Sequence, residues 1–166
     1  MSDIASKLHL SPGVSQFPVE WYFDEKLFEL EKQLIFDAGP GYAGHELMVP
    51  ELYNYRSTEW SDHSHILVRQ PDGIYQMSNV CRHRQAIMLE GSGTADKTIV
   101  CPIHRWTYDS QGTLMGAPEF PGNPCLNLNR TGLQNWQGLL FAGERDVKAD
   151  LAGMQAAREL DFSGFM

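Results

Sequence analysis

The 166-residue sequence predicts a mainly β fold with a helix near each end. Three observations lead there. From Tyr53 onward, short apolar runs are punctuated by Pro, Gly and Asp turn signals. Between Asp24 and Phe36 apolar residues recur with a helical period, and a weaker helical pattern returns after Val147.

Taken in chain order, residues 1–20, with Pro12-Gly13 and Pro18, read as an extended arm. Asp24 can cap a helix running to about Phe36, because its carboxylate accepts from N–H groups that the first turn leaves unpaired. Leu27, Leu30, Leu34 and Ile35 fall on one face of it, and Gly39-Pro40-Gly41 stops it. That face is expected to lie against a sheet. His65–Arg69 and Ile74–Met77 flank Pro71-Asp72-Gly73, a hairpin turn in which Pro presets one dihedral and Gly accepts a positive one. Thr98–Val100, Trp106–Tyr108, an Asp109–Gly112 turn and Thr113–Met115 repeat the pattern. A Pro/Gly-rich loop spans Gly116 to Pro124, Leu126–Asn129 alternates, Trp136–Phe141 reads as a last strand, and a helix interrupted by Gly153 covers Val147 to Glu159.

Composition narrows the function classes. The formal charge is −8 and the pI near 5.1, with no basic cluster beyond Arg82, Arg84 and Arg105, which argues against a nucleic-acid partner. No run approaches the roughly 18 apolar residues of a membrane span, and Met1–Lys7 has no signal-peptide pattern. The chain reads as soluble and cytoplasmic, with no membrane partner. Of its three cysteines, Cys125 lacks an obvious disulfide partner and is expected to be a small buried hydrophobe.

Chemistry concentrates in Cys81-Arg82-His83-Arg84 and Cys101-Pro102-Ile103-His104-Arg105-Trp106. Two Cys/His pairs, each with its thiol first, offer two soft thiolates and two imidazoles, a set suited to a binuclear iron-sulfur centre. Two Cys and two His also make a closed zinc shell, but zinc knuckles usually pair like with like, whereas here each pair is mixed. The first pair follows the strand ending near Val80 and the second lies between Val100 and Trp106, so two adjacent loop tips can pinch one centre. The 17 residues from 84 to 100 are ample chain to close them together. His63 and His65, beside Asp62, read as turn or surface histidines, as do His9 and His45. Met77, Met88, Met115 and Met154 read as core or edge filler.

The two pairs and their surroundings, Asn79–Arg84 and Cys101–Tyr108, resemble the Rieske domain of ring-hydroxylating non-haem iron oxygenases, α subunit, N-terminal part. The resemblance implies a Rieske-type antiparallel β-sandwich with a two-loop cluster-binding subdomain. It implies a 2Fe-2S cluster whose cofactor-binding, metal-ligating residues are Cys81 and Cys101 on one iron, with His83 and His104 on the other. Swapping two thiolates for neutral imidazoles raises the potential to about −150 to +300 mV. Respiratory Rieske proteins carry an extra loop cysteine at the positions of Ala86 and Ile103, so their disulfide is absent here. Trp106 stands where those proteins have a hydroxyl donor, which puts the expected potential toward the low end. Protonation of His83 or His104 is expected to couple to oxidation state. The family usually has glycine at the positions of Gln85 and Arg105, so side chains there are expected to crowd the cluster tip unless they point outward.

Phe23–Phe36, Tyr42–Glu46, Val49-Pro50 and Leu114–Pro118 extend the likeness over roughly residues 20–145. The implied division is an arm at 1–20, a Rieske domain at 21–145, and at 146–166 a helix and the start of a catalytic domain that lies outside the chain. That domain would hold the mononuclear Fe(II). The implied function is one-electron relay from a ferredoxin or flavin reductase to the mononuclear iron of an aromatic-ring oxygenase, held in the catalytic domain or a neighbouring subunit. A dioxygenase of aromatic hydrocarbon catabolism is the expected setting. Trp106 is expected to shield the cluster and Tyr108 to hydrogen-bond a ligand sulfur. The alternatives are a stand-alone ferredoxin-like carrier, and a redox sensor or zinc-bound interaction module.

Overall fold

The computed structural model describes residues 18–61, 63–154 and 159. The chain divides into two compact units, 1–37 and 38–166.

In the first unit Val19–Phe23 forms a 3-10 turn, so the end of the expected arm is coiled rather than extended; residues 1–17 lie outside the described residues. Helix α1, Glu25–Glu31, starts where predicted. The Asp24 carboxylate accepts from the Lys26 N–H at 2.9 Å and the Leu27 N–H at 3.3 Å. The helix then widens into a π turn over Lys32–Asp37 rather than continuing as α-helix. None of its residues is buried, and Leu30, Leu34 and Ile35 are exposed. The expected burial of that face is therefore not seen, since among the described residues of its own unit no second layer covers it.

The second unit is built of antiparallel strands: β1 Gly41–His45, β2 Asn54–Ser57, β3 His65–Gln70, β4 Gly73–Ser78, β5 Ser92–Thr94, β6 Thr98–Val100, β7 Thr107–Asp109, β8 Leu114–Gly116, β9 Arg130–Gly132, β10 Gln134–Trp136 and β11 Leu139–Ala142. They form a five-stranded sheet ordered β5-β2-β3-β4-β9, a three-stranded sheet β1-β11-β10 and a second three-stranded sheet β6-β7-β8. Mostly β architecture in antiparallel sheets is as the sequence implied. The β3–β4 hairpin pairs Gln70 with Gly73 across Pro71-Asp72, and the Tyr75 hydroxyl donates to the Asp72 carboxylate at 2.8 Å, pinning the turn.

Strand β3 explains its own sequence. Ile66 and Val68 enter one core with Met77, Cys81, Ile99, Cys101, Trp106, Tyr108, Leu114 and Leu128, while Leu67 enters a second with Ala43, Val49, Ile74 and Leu140. Successive side chains point to opposite faces, so three consecutive apolar residues mark a strand covered on both sides. The first core binds the five-stranded sheet to the small β6-β7-β8 sheet. Gly112, at φ +87°, closes the β7–β8 turn where a Cβ would stand 2.9 Å from the Met77 sulfur.

Several local expectations need correcting. Leu126–Asn129 is not a strand, although Leu128 is buried. Trp136–Phe141 is not one strand but parts of two, because Gln137 and Gly138, both at positive φ, turn β10 into β11. Helix α2, Val147–Ala152, is capped by Asp146 and ends at Gly153; most of the segment expected to continue it to Glu159 lies outside the described residues. Met77 and Met88 are buried, whereas Met115 and Met154 are exposed. Cys125 is exposed, not buried: the Asn123 side chain accepts from its N–H and holds it at φ +59° in the Pro/Gly loop. No helix among the described residues is long and apolar enough to cross a membrane.

Asn79 ties the fold to the first Cys/His loop. It is fully buried; its amide donates to the carbonyls of His63 at 2.9 Å and Leu89 at 2.7 Å, and its side-chain oxygen accepts from the Leu89 N–H. Three part-buried backbone groups lose their partner if it is truncated. Asn79→Ala is expected to destabilise the domain by about 2–3 kcal/mol, read as a lowered denaturant midpoint at unchanged slope.

Candidate iron-sulfur site

The two Cys/His loops share one backbone frame. In the first, the Cys81 N–H donates to the Ala86 carbonyl at 2.9 Å and the Gln85 N–H donates back to the Cys81 carbonyl at 3.0 Å. In the second, the Cys101 N–H donates to the Trp106 carbonyl at 2.8 Å and the Arg105 N–H to the Cys101 carbonyl at 3.0 Å. Each frame reverses the chain through a left-handed residue, Gln85 at φ +57° and Arg105 at φ +59°. That conformation costs a non-glycine residue roughly 1 kcal/mol. Both side chains are exposed, so the crowding expected at the tip is avoided by their pointing outward.

The first loop leaves β4 and returns through a Val80–Ile87 bridge; the second links β6 to β7. They bring the sequence-predicted residues together in two pairs, thiol with thiol and imidazole with imidazole. Cys81 and Cys101 are buried in the same core and form no disulfide. The His83 and His104 rings meet edge-on with centroids 4.6 Å apart, each half-buried.

The surroundings supply a hydrogen-bond donor beside Cys81 and favour a neutral His83. The Arg82 N–H donates to the Tyr108 hydroxyl oxygen at 3.1 Å, which leaves the phenol's own proton for the Cys81 sulfur 3.6 Å away. Burial, reinforced by the bond to Cys81, pushes the Tyr108 phenol well above its usual range, so it stays a donor. Desolvation, with His104 and Arg84 nearby, lowers His83 below the ordinary imidazole value and favours its neutral form. The Trp106 ring, fully buried, stacks on His83 at 4.9 Å and 6°.

The donor set also leaves room for a partner. His83 Nδ1 is buried with no hydrogen-bond partner in the protein, an arrangement rarely tolerated unless another group meets the nitrogen. Among the described residues no three His, Cys, Asp or Glu side chains gather as a mononuclear site requires. Two buried thiols, two adjoining imidazoles and an orphaned ring nitrogen therefore fit a 2Fe-2S cluster. The other histidines stay apart: His45 Nδ1 accepts from the Leu47 N–H, His65 Nδ1 lies 2.8 Å from the Ser64 hydroxyl, and His9 is outside the described residues.

The sequence pattern of the Rieske 2Fe-2S domain matches residues 44–132, spanning both loops and their strands. The chain belongs to the Rieske family. A Rieske domain implies a 2Fe-2S cluster as its cofactor. Relatives similar over the whole chain are a putrescine 2-hydroxylase of Ralstonia nicotianae, 54% identical, and another of Bordetella bronchiseptica, 44% identical. The chain spans 45% and 42% of their lengths. The α subunit of a benzene 1,2-dioxygenase from Pseudomonas putida is 30% identical over 78% of the chain, covering 30% of that subunit. Among solved structures, the quaternary ammonium Rieske monooxygenase CntA superposes with a TM-score of 0.69 at 25% identity, over 86% of this chain and 42% of that one. Naphthalene 1,2-dioxygenase gives 0.63 at 27% identity, over 80% and 32%.

Sequence reasoning passed over Phe120, whose ring lies near-perpendicular to both His83 and Trp106 at 5.9 and 5.1 Å. An aromatic following Pro118-Glu119 in the Pro/Gly loop was the available signal.

Removing the Tyr108 hydroxyl withdraws a donor that favours the more negative, reduced Rieske centre. Tyr108→Phe is expected to lower the reduction potential by about 40 mV, the one-electron equivalent of about 1 kcal/mol, as measured by protein-film voltammetry.

Proposed function

We propose that the chain is the electron-transfer part of a non-haem iron oxygenase. Cys81 and Cys101 would ligate one iron of its cluster, and His83 and His104 the other. The observation that carries this reading is the pair of matching loop frames that set two buried thiols and two adjoining imidazoles around one core. A bound Rieske cluster supplies reversible one-electron chemistry at roughly −150 to +300 mV.

The protein's own residues then divide the work. The cysteine side is closed by the core, whereas the imidazoles are half-exposed, so electron exchange with partners runs on the histidine side. Tyr108 donates toward the Cys81 sulfur, and Trp106 keeps water from one face of His83. Arg82, Arg84 and Arg105 are exposed on the two loops of a chain whose net charge is −8. They form a basic rim suited to an acidic ferredoxin or flavin reductase. The acceptor in this reading is the mononuclear iron of an oxygenase catalytic domain or neighbouring subunit. Relatives more than twice the length of this chain, aligned over all of it, favour that role over a free-standing carrier.

The substrate class changes from the sequence-based expectation. An aromatic hydrocarbon finds its support in relatives near 30% identity, whereas the relatives at 54% and 44% are named for putrescine. The oxygenase is accordingly read as hydroxylating a small aliphatic amine of that kind.

Anaerobically purified chain is expected to hold about two irons and two acid-labile sulfides and, after dithionite reduction, to give the paramagnetic signal of a mixed-ligand binuclear cluster. Cys101→Ser and His83→Ala are expected to lose that signal. Wild-type protein without labile sulfide would refute the reading. Charge reversal at the rim is a separate check: Arg105→Glu should slow reduction by an acidic ferredoxin and flatten its salt dependence, while an unchanged rate at every ionic strength removes the docking assignment.

A further inference from the structure

The structure assigns Phe120 a part in setting the reduction potential: it is a positioning residue that holds the His83–Trp106 pair and keeps water off that side of the cluster. The inference rests on the ligand assignment proposed above.

Phe120 is brought to the site by a turn that packing of its own ring does not explain. Its N–H donates to the Ala117 carbonyl at 3.2 Å across Pro118-Glu119. Glu119 stands at φ +69°, where a type II turn normally places glycine or asparagine. The loop is then tied back to β8 by the Asn123 amide, which donates to the Leu114 carbonyl at 2.8 Å, and it bends again at Cys125, also left-handed. Two non-glycine residues in this conformation are strained. Phe120 nevertheless remains 43% exposed, so removing its surface from water is a weak return on that strain. What the turn secures is the aromatic contact: Phe120 stands at 89° to His83 and 84° to Trp106, while those two rings stack at 6°. Edge-to-face pairs of this kind hold ring orientation as well as excluding solvent.

The consequence for redox chemistry follows from charge. Reduction adds one electron, breaks no bond and leaves the cluster more negative by one unit. Water reaching a ligand ring stabilises that extra charge, so a covered His83 keeps the potential low and an uncovered one raises it.

The test uses the whole chain, isolated anaerobically, with Phe120→Ala, Phe120→Leu and Phe120→Tyr. Iron and labile sulfide are assayed, the potential is read by protein-film voltammetry, and solvent access by deuterium modulation in pulsed paramagnetic resonance of the dithionite-reduced protein in D2O. With the cluster retained, Phe120→Ala is expected to shift the potential upward and deepen the deuterium modulation, Phe120→Leu to fall between, and Phe120→Tyr to stay at wild-type values. A full cluster with both readouts unmoved overturns the role of Phe120 and leaves the ligand assignment standing. If Phe120→Ala cannot hold the cluster, Phe120→Leu decides by the same two readouts. Wild-type chain lacking iron and sulfide overturns the ligand assignment and this inference together.

Discussion

The site depends on one constraint: each of its two cysteines has its own N–H and C=O engaged in the turn that it begins. With the Cys81 and Cys101 amides and carbonyls satisfied inside their loops, the backbone at each thiol is fixed before any metal is considered. Each histidine of the pair follows within three residues on the same frame, so its reach is set by the same hydrogen bonds. A flexible pair of loops would have to be ordered by the cluster, at an entropy cost of roughly 1–2 kcal/mol per residue. Here the protein carries most of that ordering itself, and the left-handed residues at Gln85 and Arg105 are the strained part of the frame.

Beneath the loops, the small sheet β6-β7-β8 and the five-stranded sheet share one core, and both cysteines sit within it rather than above it. This placement makes the two sides of the site chemically unlike. Thiols face packed apolar side chains and a phenol donor, whereas the imidazoles reach the surface among arginines. The proposed exchange of electrons on the nitrogen side rests on that burial pattern.

Much of this was legible in the sequence because the decisive signals are local. The Cys-x-His and Cys-x-x-His spacings, the Pro71-Asp72 hairpin and the Asp24 cap each involve residues only a few positions apart; the structure has the hairpin and the cap as read, and both Cys/His pairs on loops between strands. What escaped depends on long-range geometry. Phe120 reaches His83 from 37 positions away along a loop without periodicity, so the aromatic was visible in the sequence but its contact was not. The Gln137-Gly138 turn was missed because glutamine, unlike asparagine, is a weak signal for a left-handed position. Cys125 was misplaced because residue type favours burial for a thiol, while the Asn123 turn decides where that loop puts it. The α1 stripe has a helical period, yet a period alone does not say what covers it.

Strand β3 carries a further consequence. Ile66 and Leu67 are chemical neighbours that plug opposite halves of the domain, so neither half can loosen without disturbing the interior of the other. Melting should then be a single concerted event, in which the metal-facing end and the distal end surrender their protected amides together rather than in sequence. The redox centre would be as durable as the entire β unit, not merely as durable as its loops.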